Sequence, residues 1–274
     1  MQTHVKERVP GLVLLVAAMI FSVFPLLSML SAALHPQGTL PTGISWPSDP
    51  QWHNFVDAWN VAEVTPLLWS SVLYVLGVVP IVAISATMAG YALGQLRVRG
   101  AAVVLVLILF GLTLPKESTI VPLYYQLRDM GLLNTRIGLI LVLVGSFIPF
   151  AVYWMRAHFI TMPEELMEAS ALDGANRWQS FTRIQIPLAV PAITSMCLLL
   201  FLWTWNAFLQ AIVLIDDPSK RTMAGALQNF VGQYTTDVVL LNAGSLLIMA
   251  PTILVFLIFQ RHFVKALIAG AVKG

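Results

Sequence analysis

Six long apolar runs alternate with shorter polar connectors along the chain, near residues 11–34, 67–94, 101–122, 137–157, 189–214 and 243–263. A bilayer core needs about 20 residues of helix to cross it, so each run predicts one transmembrane helix. The connectors fall near 35–66, 95–100, 123–136, 158–188 and 215–242. The expected fold is therefore an all-α integral membrane protein with six transmembrane helices. Residues 1–66 hold the first helix and an outer loop. Residues 67–274 hold the other five helices and a C-terminal tail.

Composition agrees with a lipid-facing surface. Hydrophobic residues make up 58% of the 274 residues and charged residues only 10%, against about 25% charged in soluble domains. The single cysteine, Cys197, lies in an apolar run, which excludes disulfides and cysteine metal sites within the chain. A formal charge of +2 gives no basis for binding nucleic acid. The first run follows Lys6 and Arg8 and could be read as a cleaved signal, with Ser31-Ala32-Ala33 as the cleavage site. At 24 residues it exceeds the usual apolar core of about 7–15, so a retained anchor is expected.

The distribution of charge orients the chain. With both termini inside, the inner segments carry Lys6, Arg8, Arg97, Arg99, Arg156, Arg177, Arg183, Arg261, Lys265 and Lys273. The outer segments carry Lys116, Arg128, Arg136, Lys220 and Arg221. That asymmetry follows the positive-inside rule and puts connector 158–188 in the cytoplasm. The one discordant segment is 116–136, with three basic residues outside.

The outer loop from Gly38 to Thr65 contains Pro41, Pro47, Pro50, Trp46, Trp52 and Trp59. Proline sets turns and tryptophan favours the membrane–water boundary. An irregular loop with a short helix at Asn54–Val61 is expected. Each span also contains a proline: Pro25, Pro80, Pro115, Pro149, Pro191 and Pro251. These suit ordinary membrane helices, where neighbours satisfy the freed carbonyls, and equally a bundle of bent helices around a gated path.

Lys116 and Glu117 adjoin Pro115 near the outer end of the third span, and the middles of the spans carry no ionisable group. Buried charges mark proton relays and ion paths, so a secondary carrier is disfavoured. No G-x-x-x-x-G-K-[ST] loop is present to bind ATP phosphates. His4, His35, His53, His158 and His262 are scattered and form no ligand pair, so no catalytic or metal site is expected.

The polar connector from Thr161 to Ala175 holds four of the 13 acidic residues. Thr161 and Glu164 have capping-box spacing, Pro163 suits a first helical turn, and Glu164 and Glu165 complement the helix dipole. Gly174 supplies a stop after Leu172. Asn176 and Gln179 repeat the cap for a second helix to about Ile184, and Pro187 and Pro191 open the fifth span. Ala169, Ser170 and Ala171 are small enough for a partner to approach the backbone, flanked by Glu168 and Asp173. A solvated helix-turn-helix and a docking element fit this pattern equally.

The string Glu168-Ala169-Ser170, three residues, Gly174, nine residues, Ile184-x-Ile186-Pro187 resembles the EAA loop of binding-protein-dependent ABC importer permeases. Ser170 replaces the second alanine of that pattern and Ile186 its leucine. Pro115-Lys116-Glu117 through Pro122-Leu123-Tyr124, Gly131-Leu132-Leu133-Asn134-Thr135, Trp205-Asn206-Ala207-Phe208 and Asp217-Pro218-Ser219-Lys220 are similar to stretches of carbohydrate permeases. The ending Gly270-Ala271-Val272-Lys273-Gly274 resembles the six-span, maltose-importer type of subunit.

The resemblance implies a permease subunit of an ATP-driven importer in a bacterial inner membrane. Its expected partners are a second permease subunit, two ATPase subunits and an extracytoplasmic solute-binding protein. ATP and Mg would be bound by the ATPase, with no cofactor in this chain. The EAA loop, residues 159–188 between spans four and five, would form a coupling helix seated in the ATPase, with Glu168, Ala169, Ser170, Asp173 and Gly174 at the contact. Lys265 and Lys273 in the tail would add a second contact. A carbohydrate is the expected cargo, with an amino sugar, a polyol or glycerol phosphate as alternatives on the same architecture.

For the solute path, Asn206 and Gln210 lie four apart, so they share one face of a continuous helix, with Trp203 close to it. An amide beside an indole could hold a sugar, or could serve helix packing. Tyr74, Tyr91 and Tyr153 are further candidates.

Overall fold

The computed structural model describes residues 3–96, 98–230 and 236–271, with side chains described for 11–96, 98–230 and 236–260. In chain order the helices are α1 (Thr3–Ala33), α2 (Asn54–Val61), α3 (Val64–Gln95), α4 (Ala101–Thr113), α5 (Ile120–Asp129), α6 (Arg136–Ile160), α7 (Glu165–Leu172), α8 (Arg177–Ser180), α9 (Ile186–Trp205), α10 (Phe208–Leu214) and α11 (Val238–Ala271). A 3-10 turn, Lys116–Thr119, precedes α5, and a π turn, Phe181–Gln185, joins α8 to α9. Among the described residues, five helical segments are long and apolar enough to cross a membrane, or six if the bent pair around α4 and α5 counts as one crossing.

The chain forms two compact units. One joins Met1–Thr65 with Ala226–Pro251, the other Pro66–Gly225 with Thr252–Gly274. In the first, the side chains of α1 from residue 11 to 25 are exposed, as lipid contact requires. Asn54, at the start of α2 where a short helix was expected, ties the outer loop together. Its Nδ2 donates to the carbonyls of Ala33 and His35, both at 2.8 Å. Trp46, Trp52 and Trp59 stay exposed, available to the membrane interface.

The second unit is built on two stripes of every fourth residue. On α3 these are Tyr74, Val78, Val82 and Ala86; on α6 they are Leu139, Leu143, Phe147, Ala151, Met155 and Phe159. Residues four apart stack on one helical face, so each stripe is a continuous ridge, joined by Ala189, Met196 and Leu200 of α9. A Cβ at Gly90 would lie 2.6 Å from Met155 Cβ and 2.8 Å from the Arg156 nitrogen. Only glycine permits that approach of α3 to α6.

Two of the expected spans need correction. The third does not run straight from 101 to 122: α4 ends at Thr113, and the segment Lys116–Asp129 is bent from it by 93°. Leu114 and Pro115 are both extended, since proline disfavours helical backbone in the residue before it. The 13 residues of α4 rise only about 20 Å. By contrast, helix continues through Pro80, Pro149, Pro191 and Pro251.

The fifth span is shifted. Helix begins at Arg177, not near 189, and runs to Trp205, with the break at Asn206 and Ala207 before α10. Pro187 and Pro191 lie inside it because the π turn absorbs the first of them. The sixth span runs from Val238 to Gln260. Arg97 and Lys273 lie outside the described residues, as do the side chains of Lys6, Arg8, Arg261 and Lys265. The expected tail contact therefore falls outside them too.

Candidate functional site

The connector between α6 and α9 is a hairpin of two short helices, each closed by its own sequence. The expected Thr161–Glu164 box does not form. Thr161 instead ends α6, its hydroxyl donating to the His158 carbonyl at 2.8 Å, and α7 starts at Glu165 with no side-chain cap on Glu164. Glu165 and Glu168 occupy the first turn, where carboxylates favour the positive end of the helix dipole.

At the other end, Gly174 has φ +78°. The Ala175 N–H donates to the Ser170 carbonyl at 2.9 Å and the Gly174 N–H to Ala171 at 3.1 Å, the two bonds of a Schellman closure. The Asn176–Gln179 box is complete, with reciprocal bonds of 2.9 Å each. The second helix does not stop at Ile184, however; through the π turn it becomes the fifth span.

Side chains fasten the hairpin to itself and to the bundle. Ser170 is buried, its hydroxyl bonded to the Met167 carbonyl at 2.9 Å and to Ser180 Oγ at 3.0 Å. This corrects the expectation that Ser170 faces a partner: it faces α8. Ser180 in turn donates to Met167 Sδ at 3.3 Å. From α3, the Tyr91 hydroxyl reaches Met167 Sδ at 3.6 Å and its ring packs on Phe181 at 4.6 Å. One turn further along α3, Gln95 Nε2 donates to the carbonyls of Phe159 and Met162. Ser170 and Tyr91 were singled out in the sequence for other roles, and the fastening parts of Met167, Ser180, Phe181 and Gln95 were not legible there. The available signal was Tyr91 and Gln95, polar residues four apart at the end of an apolar span.

Outward on α7 and the turn that follows it are Glu168, Ala169, Ala171, Leu172, Asp173 and Gly174, and Glu164 and Glu165 at the start of α7 are exposed as well. Leu172 is 89% exposed and Trp178, on α8, 61%. Beside them a cleft of about 250 Å³ is lined by Asp173, Gly174, Ala175, Gln179, Arg183 and Ile184.

The proposed path residues do not come together as expected. Asn206 and Gln210 do not share a face of one helix, because α9 ends between them. Asn206 turns back to donate to the Leu202 carbonyl at 2.8 Å. Tyr74 is fully buried, and its hydroxyl donates to the Lys220 carbonyl at 2.7 Å. Tyr91 belongs to the hairpin clasp, while Tyr153 is exposed. Trp203 joins an aromatic wall between α6 and α9. Its ring centroid lies 5.6 Å from Phe147 and 4.7 Å from Phe150, and Phe150 lies 5.8 Å from Trp154. Lys116 Nζ, carried in by the bend after α4, sits 4.7 Å from the Phe147 centroid and 5.1 Å from that of Trp203, within cation–π range.

A second polar segment of this unit, 214–223, is knitted inward. Asn134, at φ +59°, accepts at Oδ1 from the N–H groups of Asp216 and Asp217, both at 3.1 Å. Thr222 is buried with its hydroxyl on the Ala207 carbonyl at 2.9 Å. The Asp217 carboxylate accepts from the Ser219 hydroxyl at 2.7 Å and pairs with Lys220 at 3.0 Å. These contacts, the serine first, hold its pKa below the ordinary aspartate value.

Apolar helices, a broken third span and a capped polar hairpin define a helical membrane subunit, and among the described residues no His, Cys, Asp and Glu group that could hold a metal occurs. Residues 86–269 match the family of binding-protein-dependent transport system inner membrane components, and the chain belongs to that family. It is 38% identical to a probable ABC transporter permease protein, YurM, of Bacillus subtilis, over 84% of this chain and 77% of the relative. It is 31% identical to the trehalose transport system permease protein SugB of Mycobacterium tuberculosis, over 93% of each. The diacetylchitobiose uptake system permease protein NgcG of Streptomyces coelicolor is 30% identical over 95% of this chain and 85% of the relative. The fold matches a chain of a bacterial ABC transporter involved in import of the acidic polysaccharide alginate, with TM-score 0.78 and 22% identity, over 96% of this chain and 98% of that one.

The protein is thus an ABC permease subunit of the inner membrane, not an enzyme. Membership implies a solute-binding protein and a separate ATPase subunit as partners.

Proposed function

We propose that this permease imports a carbohydrate and is driven through the α7–α8 hairpin by two ATPase subunits, with a second permease subunit completing the path. The observation that carries the coupling role is the hairpin itself. Leu172, on the polar connector, and Trp178, in the first turn of the helix that becomes the fifth span, are exposed beside Glu168, Asp173 and Gly174. Exposed large apolar residues ringed by polar ones mark protein contacts. The clasp to Tyr91 and Gln95 makes the hairpin stiff enough to pass a displacement into α3 and α6. With the hairpin on the cytoplasmic side, as the charge asymmetry favours, both termini are cytoplasmic and ATP stays on the partner.

The carbohydrate reading rests on relatives named for diacetylchitobiose, trehalose and melibiose, raffinose and stachyose. The partly exposed rings of Phe150 and Trp203 support it, because ring faces stack on sugars, and Lys116 adds a donor for hydroxyls. Asn206, exposed where α9 ends, borders the same stretch of chain.

The test of coupling is Gly174→Asp. A Cβ there meets no atom within 4 Å, so the only folding cost is the left-handed backbone, about 1–2 kcal/mol. The variant is expected to reach the membrane but lose uptake about tenfold or more. Unchanged uptake removes the hairpin from the drive. For cargo, the partner binding protein is screened for ligand-induced thermal stabilisation; a ligand that is no sugar overturns the carbohydrate assignment alone.

A further inference from the structure

The helix from Arg177 to Trp205 is not uniform. At Phe181–Gln185 it widens to a π turn, in which the Ile186 N–H reaches back five residues to the Phe181 carbonyl. Proline chemistry explains the place. Pro187 has no N–H, and in a regular α-helix its ring would press on the Arg183 carbonyl four residues back. An extra residue in the preceding turn opens that contact.

The insertion also sets an angle. Each α-helical residue turns about 100°, so one extra residue rotates everything before it by about that amount. In the rotated setting Ser180 meets Ser170 and Met167, and Phe181 packs on Tyr91. The π turn therefore decides how the α7–α8 hairpin seats against α3.

Gln185, the last residue of the turn, is 0% exposed, and neither Nε2 nor Oε1 has a hydrogen-bond partner. A buried amide left unpaired destabilises the conformation that holds it. An apolar side chain of similar size would not.

We propose that Gln185 is a positioning residue of the transport cycle: its unpaired amide keeps the π turn at Phe181–Gln185 convertible, and conversion to α-helix re-aims the α7–α8 hairpin. This rests on the docking role proposed for that hairpin. A change of one residue in register is a discrete step, so the span has two settings for ATP binding to choose between.

The experiment uses the reconstituted complex of permease, ATPase and binding protein in a Cys197→Ser background. Spin labels sit at Glu165→Cys on α7 and Ile137→Cys on α6, both exposed. The unsubstituted turn is expected to give different distances in nucleotide-free and vanadate-trapped complexes. Gln185→Leu should hold the nucleotide-free distance in both, raise the melting temperature, and lower uptake about tenfold while the ATPase still copurifies. Pro187→Ala, which removes the ring behind the π turn, should shift the nucleotide-free sample toward the second distance.

A Gln185→Leu complex that visits both distances and transports normally overturns the proposal, as does one that melts earlier. Failure of the docking role reads differently. Leu172→Asp would then leave ATPase copurification intact, whatever Gln185→Leu does.

Discussion

The two polar segments of the larger unit spend their polar groups in opposite directions. Segment 214–223 turns inward: Asn134 collects two of its N–H groups, Thr222 bonds Ala207, and Tyr74 and Ser70 both donate to the Lys220 carbonyl. The α7–α8 hairpin closes its own backbone at Gly174 and at Asn176, then leaves Glu168, Leu172, Asp173 and Trp178 outward. The first arrangement maximises internal satisfaction. The second is rigid inside and unfinished outside, which suits a surface completed by another protein.

Substitutions can break that contrast, and the largest expected effect is on the hairpin. Leu172→Asp changes a side chain that is almost fully exposed, so the melting temperature should stay within about 2 °C, as for ordinary surface changes. Uptake should fall about tenfold or more, read in proteoliposomes beside ATPase copurification. Equal loss of stability and uptake would make Leu172 a folding residue.

Asn134→Ala should do the reverse. It removes two side-chain hydrogen bonds and the residue type that tolerates φ +59°, costing about 2–3 kcal/mol. Thermal unfolding in detergent measures it. Uptake per folded molecule should change little, and a large drop at unchanged stability would make segment 214–223 functional in its own right.

Ser170→Ala should be milder. It restores the residue of the EAA pattern and gives up the bond to Ser180, about 1 kcal/mol. If Ser170 is a fastener and not a contact, ATPase binding is unaltered.

The smallest effect concerns pH. Asp217 has its folded pKa lowered, so its contribution is present above the unfolded value near about 3.9 and is lost as pH falls through the folded value. Ser219→Ala removes the first cause and brings the folded value back toward the unfolded one, so the loss should become smaller and be complete at higher pH. Melting temperatures between about pH 5 and 3 test this, and identical curves would refute it.

Sequence and structure diverge for definable reasons. The helix at Asn54–Val61 and the stop at Gly174 were legible because caps and turns act over a few residues. The Asn176–Gln179 box appeared as expected, while the Thr161–Glu164 box did not, since Thr161 was taken by the end of α6. The break at Asn206 was hidden inside an apolar run, and hydropathy has no term for a bent backbone. The same blindness concealed the 93° turn after Leu114, although Pro115 marked its place.

By itself the sequence determined the membrane class, the number of apolar runs and the closed polar hairpin between the fourth and fifth spans, because these depend on composition and local chemistry. Its spans are apolar all round, so periodicity could not say which face meets lipid and which meets protein. Tertiary packing alone decided that every fourth residue from Tyr74 and from Leu139 forms the core. It also decided that Ser170 turns inward and that Lys116 lies over Phe147 and Trp203. Most of all, it left the Gln185 amide buried and unpaired, an outcome that depends on what surrounds the π turn.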